Sequence, residues 1–232
     1  MPPLVSIGMP VHNCEKTIDQ AIYSIIWQTY TAWELLIIDD GSSDNTVEIA
    51  GGYDDPRIKI IADGKKRQLA KRLNQAVKLS NGEFFARMDA DDVAFPERIE
   101  RQVKFLTKND DVDMVGGRVL IFNNNGGIVG TYPFRETHDA ICRRPWAGFY
   151  LPHPTWMGRK SWFLKFPYRE SMPKAQDQDL LLRSYHASRF ACMPEYLHGY
   201  RVEDVSLKKI LMGRWLFIGS LYRVGRKRKS WP

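Results

Sequence analysis

Through the first hundred residues, short apolar runs alternate with longer stretches whose apolar positions recur at three- and four-residue steps. Leu4-Val5-Ser6-Ile7-Gly8-Met9-Pro10 is an apolar run ended by proline, the pattern of a buried strand entering a loop at His12 and Asn13. Ile18, Ala21, Ile22, Ile25 and Ile26 then place one apolar stripe on a helix that Asn13 is positioned to cap. Glu34 to Ile38 predicts a second strand, running into Asp39-Asp40-Gly41-Ser42-Ser43-Asp44, where small polar residues force a turn before a helix starting near Asp44 and Asn45. Arg57 to Ile61 predicts a third strand. Leu69, Leu73, Ala76, Val77 and Leu79 predict a helix stopped by Asn81-Gly82, and Glu83 to Met88 a fourth strand that delivers Asp89-Ala90-Asp91-Asp92 to a loop. This alternation implies a three-layer α/β domain on a mostly parallel sheet, whose ligand crevice lies at the carboxyl ends of the strands.

The second half is less regular. Asp113 to Phe122 reads as a strand, Asn123 to Gly127 as a tight turn and Ile128 to Phe134 as the returning partner. Aromatic loops follow around Trp146, Phe149, Tyr150 and Trp156, and a helix is expected from Gln176 to His186. No internal repeat or low-complexity linker interrupts the chain, so one domain over residues 1–206 and a tail over 207–232 are expected.

Charge sharpens that division. The formal charge is +7, yet eight basic residues and no acidic ones lie beyond Leu207, which leaves the first 206 residues at −1. A near-neutral body argues against nucleic acid as a partner. In the tail, Ile210, Leu211, Trp215, Leu216, Ile218, Leu221 and Tyr222 interleave with the basic residues. A spanning helix needs about 20 apolar residues with few charges, so an interfacial helix on anionic lipid is expected instead, the alternative being that its apolar side packs on the domain. With no basic start followed by a long apolar run, the chain is expected in the cytoplasm, at the inner face of the membrane. Cys14, Cys142 and Cys192 are too far apart to suggest zinc or a disulfide framework.

The chemistry concentrates in carboxylates. Asp39 and Asp40 follow the second strand; Asp89, Asp91 and Asp92 follow the fourth. Carboxylates crowded into one crevice repel each other, and a hard cation such as Mn²⁺ or Mg²⁺ relieves the repulsion while gripping a diphosphate. The bland reading of Asp39 to Asp44 is a turn and helix cap.

Four ordered segments, Pro10-Val11-His12-Asn13, Ile38 to Asp44, Arg87-Met88-Asp89-Ala90-Asp91-Asp92 and Ala175-Gln176-Asp177-Gln178-Asp179-Leu180, together resemble the family 2 glycosyltransferases of GT-A fold, over roughly residues 4–206. The resemblance implies an inverting, metal-dependent enzyme that moves a sugar from a nucleotide-sugar, expected to be a UDP-sugar, to a glycan or lipid-linked acceptor in cell-surface polysaccharide or glycolipid synthesis. Pro10, His12, Asn13 and Asp40 would hold the nucleoside. Asp89 and Asp91 match the family's Asp-x-Asp, with Asp91 the direct metal ligand and Asp89 reaching ribose or metal. Asp177 matches the general base.

Two positions depart from the family pattern. Gln176 stands where glutamate is frequent, and Glu203, in Tyr200-Arg201-Val202-Glu203, stands where a histidine would contact metal or diphosphate. His153 lines the pocket in one reading and is an ordinary loop histidine in the other. Lys65, Lys66, Arg67, Arg159 and Lys160 offer either phosphate contacts or a solvated face. Nucleotidyltransferases and dinucleotide oxidoreductases would need a glycine-rich turn after the first strand, which Pro10 to Asn13 lacks. The rival from another class is an inactive GT-A-like carbohydrate-binding or membrane scaffold protein.

Overall fold

The computed structural model describes residues 2–202 and 207–228. Strands β1 (Val5–Val11), β2 (Trp33–Asp39), β3 (Ile58–Ala62) and β4 (Phe84–Arg87) run parallel in the order β3-β2-β1-β4. Helices α1 (Ile18–Ile26), α2 (Thr46–Gly51) and α3 (Leu69–Leu79) connect them. Along β1 and β2 the side chains alternate between two apolar layers, as the two-residue period of a strand requires. Val5, Ile7 and Met9 join Ile22 and Ile25 of α1 on one face. Leu36, Ile38 and Phe85 join Leu73 and Ala76 of α3 on the other. Gly8 occupies the second face, where a Cβ would stand 2.5 Å from the Phe85 ring and 3.0 Å from the Ala76 methyl, so its missing side chain is what lets α3 close on the sheet.

Beyond β4 come β5 (Val93–Ala94), α4 (Arg98–Lys108), β6 (Met114–Phe122), β7 (Ile128–Thr131), α5 (His138–Ile141), β8 (Met157–Arg159), α6 (Lys160–Lys165), α7 (Gln176–Ser184), β9 (Phe190–Arg201) and α8 (Leu207–Arg228). The sheet continues β4-β8-β6-β9-β5, with β7 paired to β6. Short antiparallel β8 joins the two halves, and β9 lies parallel to β6. The fold is the mixed α/β arrangement expected, with a mostly parallel first half.

Two local details differ from the pattern read along the chain. Asn13 does not cap α1: the helix starts at Ile18 behind Thr17, while Asn13 takes a left-handed conformation (φ 51°) and accepts a hydrogen bond from the Ser43 amide at 2.8 Å. Arg159 and Lys160 are half-buried, each with its cation engaged by a backbone carbonyl. Arg159 Nη2 donates to the Leu106 carbonyl at 3.1 Å, tying β8 to α4, and Lys160 Nζ donates to the Ser80 carbonyl, tying α6 to the end of α3.

The apolar residues of α8 divide between two faces. Phe217, Leu221 and Val224 are buried in the cluster that holds Leu180, Leu181 and Leu182 of α7. Leu211, Trp215, Ile218 and Tyr222, spaced four, three and four residues apart, form an exposed stripe on the opposite side. Among the described residues no helix is long and apolar enough to cross a membrane.

Candidate active site

The loops after β1, β2 and β4 meet because they are laced together. Asn13 holds Ser43; the Cys14 amide donates to Thr46 Oγ1 at 2.8 Å, and the Glu15 amide to the Asp44 carboxylate at 3.1 Å. Asp39 folds back to accept from the amides of Gly41 and Ser42 at 3.0 and 3.1 Å, closing the turn in which Gly41 takes φ 76°. The result is a cavity of 450 Å³ lined by Pro10, His12, Asn13, Asp44, Asp89 and Asp91 among others.

Asp40 lines none of the three larger cavities described here. Its carboxylate accepts from the amides of Arg67 (2.5 Å) and Gln68 (3.0 Å) and from Arg72 Nε (3.0 Å), so it fixes the segment between β3 and α3. Arg67 is likewise outside those cavities, its guanidinium 3.0 Å from Asp63. The Lys66 ammonium sits 2.9 Å from His12 Nε2.

Asp89, Asp91 and Asp92 converge, each offering a carboxylate oxygen within 4.8 Å of the others'. Their settings differ. Asp92 is fully buried, accepting from His198 Nε2 and from the Arg201 amide, both at 2.8 Å. Arg98 Nη1 lies 3.1 Å from His198 Nδ1, and because a guanidinium only donates, Nδ1 accepts and Nε2 carries the proton given to Asp92. Burial, with Arg98 close by, accordingly pushes the His198 imidazole well below its usual range and keeps it neutral. Asp89 pairs through one oxygen with Arg87, whose buried Nε and Nη1 have no partner among the described residues. Burial, then the charge of Asp89, holds the Asp92 carboxyl above the usual carboxylate range; Asp91 is open to solvent on one side, and partial desolvation by the crevice walls, then the charges of Asp89 and Asp92, raise it as well. With Asp92 committed to His198 and Arg201, Asp91 and the second oxygen of Asp89 remain for a hard cation, and the raised protonation of the cluster is what such a cation would reverse.

Asp177 stands in the first turn of α7, entered through Ala175 in a left-handed conformation (φ 56°). Two residues on, Asp179 is fully buried between Arg183 (2.8 Å) and Arg169 (3.4 Å), anchoring the helix. Asp177 and Gln176 line a cleft of 570 Å³ with Phe149, Lys174, Arg214 and Phe217. Asp177 also lines a second cavity of 360 Å³ with His153, Tyr132 and Tyr200. His153 is held by side chains: its Nε2 is 2.9 Å from the Tyr168 hydroxyl and its ring lies edge-on to Trp156 at 4.5 Å. Burial and the neighbouring Arg87 push its imidazole well below the usual value. Tyr168, buried and held through its backbone by Asn74, has its hydroxyl pushed up by burial and lies within electrostatic reach of both Asp177 and Asp89.

The site thus brings Pro10, His12, Asn13, Asp89 and Asp91 to one cavity and Gln176, His153 and Asp177 to the adjoining clefts, while Asp40 and Arg67 support a neighbouring loop. Glu203 lies outside the described residues. Sequence reasoning missed Arg87, Arg98, Tyr168 and His198; the one signal for His198 is a histidine two residues before Tyr200-Arg201.

Residues 6–166 match the sequence profile of Glycosyl transferase family 2. The putative glycosyltransferase EpsE of Bacillus subtilis (strain 168) is 41% identical over 127 residues, covering 53% of this chain and 46% of that protein. The Escherichia coli UDP-Glc:alpha-D-GlcNAc-diphosphoundecaprenol beta-1,3-glucosyltransferase WfgD is 40% identical over 142 residues, covering 60% and 55%. The chain therefore spans about half the length of these curated relatives. In fold it resembles residues 1–349 of S. aureus TarS, solved in complex with UDP-GlcNAc, with TM-score 0.71 and 22% identity, covering 88% of this chain and 60% of that one. A family profile that fits well over half of the sequence, on a fold shared with that structure, makes this chain a member of glycosyl transferase family 2.

Proposed function

We propose that the chain transfers a sugar from a UDP-sugar to a hydroxyl of a glycan or lipid-linked acceptor, with inversion at the anomeric carbon, in cell-surface polysaccharide or glycolipid assembly. The observation that carries this reading is the adjacency of two kinds of carboxylate: Asp89 and Asp91 in the cavity of the β1 loop, and Asp177 in the neighbouring cleft, with Tyr168 in electrostatic reach of both sides. Pro10, His12 and Asn13 would cradle the nucleoside, and Asp40 would act on it through the loop it fixes. Asp177 takes the proton of the acceptor hydroxyl as its oxygen attacks the anomeric carbon, while the bond from that carbon to the diphosphate breaks on the opposite side. A divalent Mn²⁺ or Mg²⁺ held by Asp91 and Asp89 would neutralise charge on the departing UDP.

Membrane contact belongs to the same proposal. The exposed stripe of α8 sets Leu211, Trp215, Ile218 and Tyr222 beside Arg226, whose guanidinium lies over the Tyr222 ring, the composition an interfacial helix on anionic lipid requires, and it would hold the enzyme at the inner face of the membrane.

The test is transfer itself. The purified chain is incubated with single UDP-sugars, Mn²⁺ and a bacterial lipid extract, with UDP release and the product's anomeric proton followed by NMR. A β-linked product from an α-linked donor supports the reading; binding of UDP-sugar without turnover in any mixture would favour the inactive scaffold.

A further inference from the structure

Next to the cleft of Asp177 lies a smaller cavity of 220 Å³ whose wall carries Arg135, Arg143 and Arg144 and no carboxylate. Gly148 and Tyr150 line this cavity and the Asp177 cleft alike, so the two share a wall. Arg135 is set over the Tyr150 ring at 5.1 Å, its Nη1 donating to the Phe134 carbonyl at 2.8 Å. Arg143 and Arg144 are exposed and enter no ion pair among the described residues. The loop that bears them is fixed to the base: Gln178, next to Asp177, accepts from the Phe149 amide at 2.8 Å and donates to the Phe149 carbonyl at 3.3 Å. From the other side Arg214 Nη1 donates to the Ala147 carbonyl at 3.2 Å, tying α8 to the same loop.

Three guanidiniums without a balancing carboxylate on the wall concentrate positive charge that an anionic ligand would neutralise. Their planar forks match phosphate oxygens in pairs of hydrogen bonds. We infer that the cavity of Arg135, Arg143 and Arg144 is the subsite for a phosphate or diphosphate carried by the acceptor, fixed in register with Asp177 through Gln178. The inference rests on the proposed transferase reading and names its acceptor class: a sugar whose own linkage carries phosphate.

The test uses the full chain and inorganic pyrophosphate, titrated calorimetrically in EDTA so that no metal can hold it at the donor carboxylates. The parent should bind, and Arg143→Gln/Arg144→Gln should bind at least tenfold more weakly. No binding by the parent, or undiminished binding by the double variant, overturns the subsite. A flotation assay with phosphatidylglycerol vesicles separates acceptor phosphate from bilayer headgroups: equal flotation of parent and double variant supports the subsite, and reduced flotation of the variant assigns the arginines to the membrane and overturns it. UDP titration with Mn²⁺ runs alongside. Its failure on the parent would strike the donor-site reading and leave the pyrophosphate result standing, so the two failures are told apart.

Discussion

His198 Nε2 lies 2.8 Å from the carboxylate of Asp92, both side chains fully buried and 106 residues apart in sequence. Through this contact β9 fixes the third aspartate of the acidic loop, and through Nδ1 it links that aspartate to Arg98, a buried cation. Removing the neutral imidazole leaves the Asp92 carboxyl and the Arg98 guanidinium each short of a buried hydrogen bond, typically at about 1–3 kcal/mol per group. His198→Phe should therefore lower unfolding stability by about 2 kcal/mol or more in urea titration. His198→Gln, whose amide can still donate to Asp92, should recover part of the loss; equal stability of His198→Phe and the parent would remove Asp92 from the framework of the site.

At the opposite end of the strands, Glu34 accepts from Ser6 Oγ at 2.6 Å, the Asn81 amide at 2.6 Å and Lys59 at 2.8 Å. Burial pushes this carboxyl up, but the bonds from Lys59, Ser6 and Asn81 outweigh it and hold the group at about 2 rather than 4.5. A depressed carboxylate contributes stability that is complete above its unfolded value and is lost as pH falls toward its folded one. The difference in stability between the parent and Glu34→Gln should be about 3 kcal/mol at pH 6 and shrink between pH 4.5 and pH 2. Denaturant titrations across that range measure it, and a pH-independent difference would contradict the assignment.

The first half of the fold was legible because each element announces itself. β1 to β4 are apolar runs closed by Pro10, the Asp39-Asp40-Gly41 turn or the acidic loop, and α3 keeps its apolar period from Leu69 to Leu79. The second half hides its elements. β9 contains Pro194 and Glu195 and is a strand because β6 pairs along its length, a contact no local pattern reveals. In α4 the inward positions include Arg98 and Gln102, buried because they serve the acidic loop and the Thr155 carbonyl, so the apolar stripe is broken. The carboxylates were legible as motifs; His198, Tyr168 and Arg87 were not, since their roles come only from where the folded chain puts them.

For the base, Asp177→Asn keeps size and hydrogen bonding while removing the ability to take a proton. It should leave UDP affinity within about twofold of the parent and reduce transfer by roughly 10²–10⁴-fold. Parallel calorimetry and turnover assays separate the two effects. Transfer at the parental rate would exclude Asp177 as base.

On α8, the exposed stripe can be changed without touching the buried face. Trp215→Glu/Ile218→Glu should abolish flotation with phosphatidylglycerol vesicles while thermal unfolding stays within a degree or two of the parent, because surface substitutions of this kind are near neutral. Undiminished flotation would show that the stripe does not meet the bilayer.

The central claim is that the acidic loop holds a nucleoside diphosphate through a divalent cation, and calorimetric titration of the full chain with UDP tests it most directly. Binding in Mn²⁺ that is lost in EDTA and lost again in Asp91→Ala is the predicted result. The same UDP affinity in all three would contradict the account.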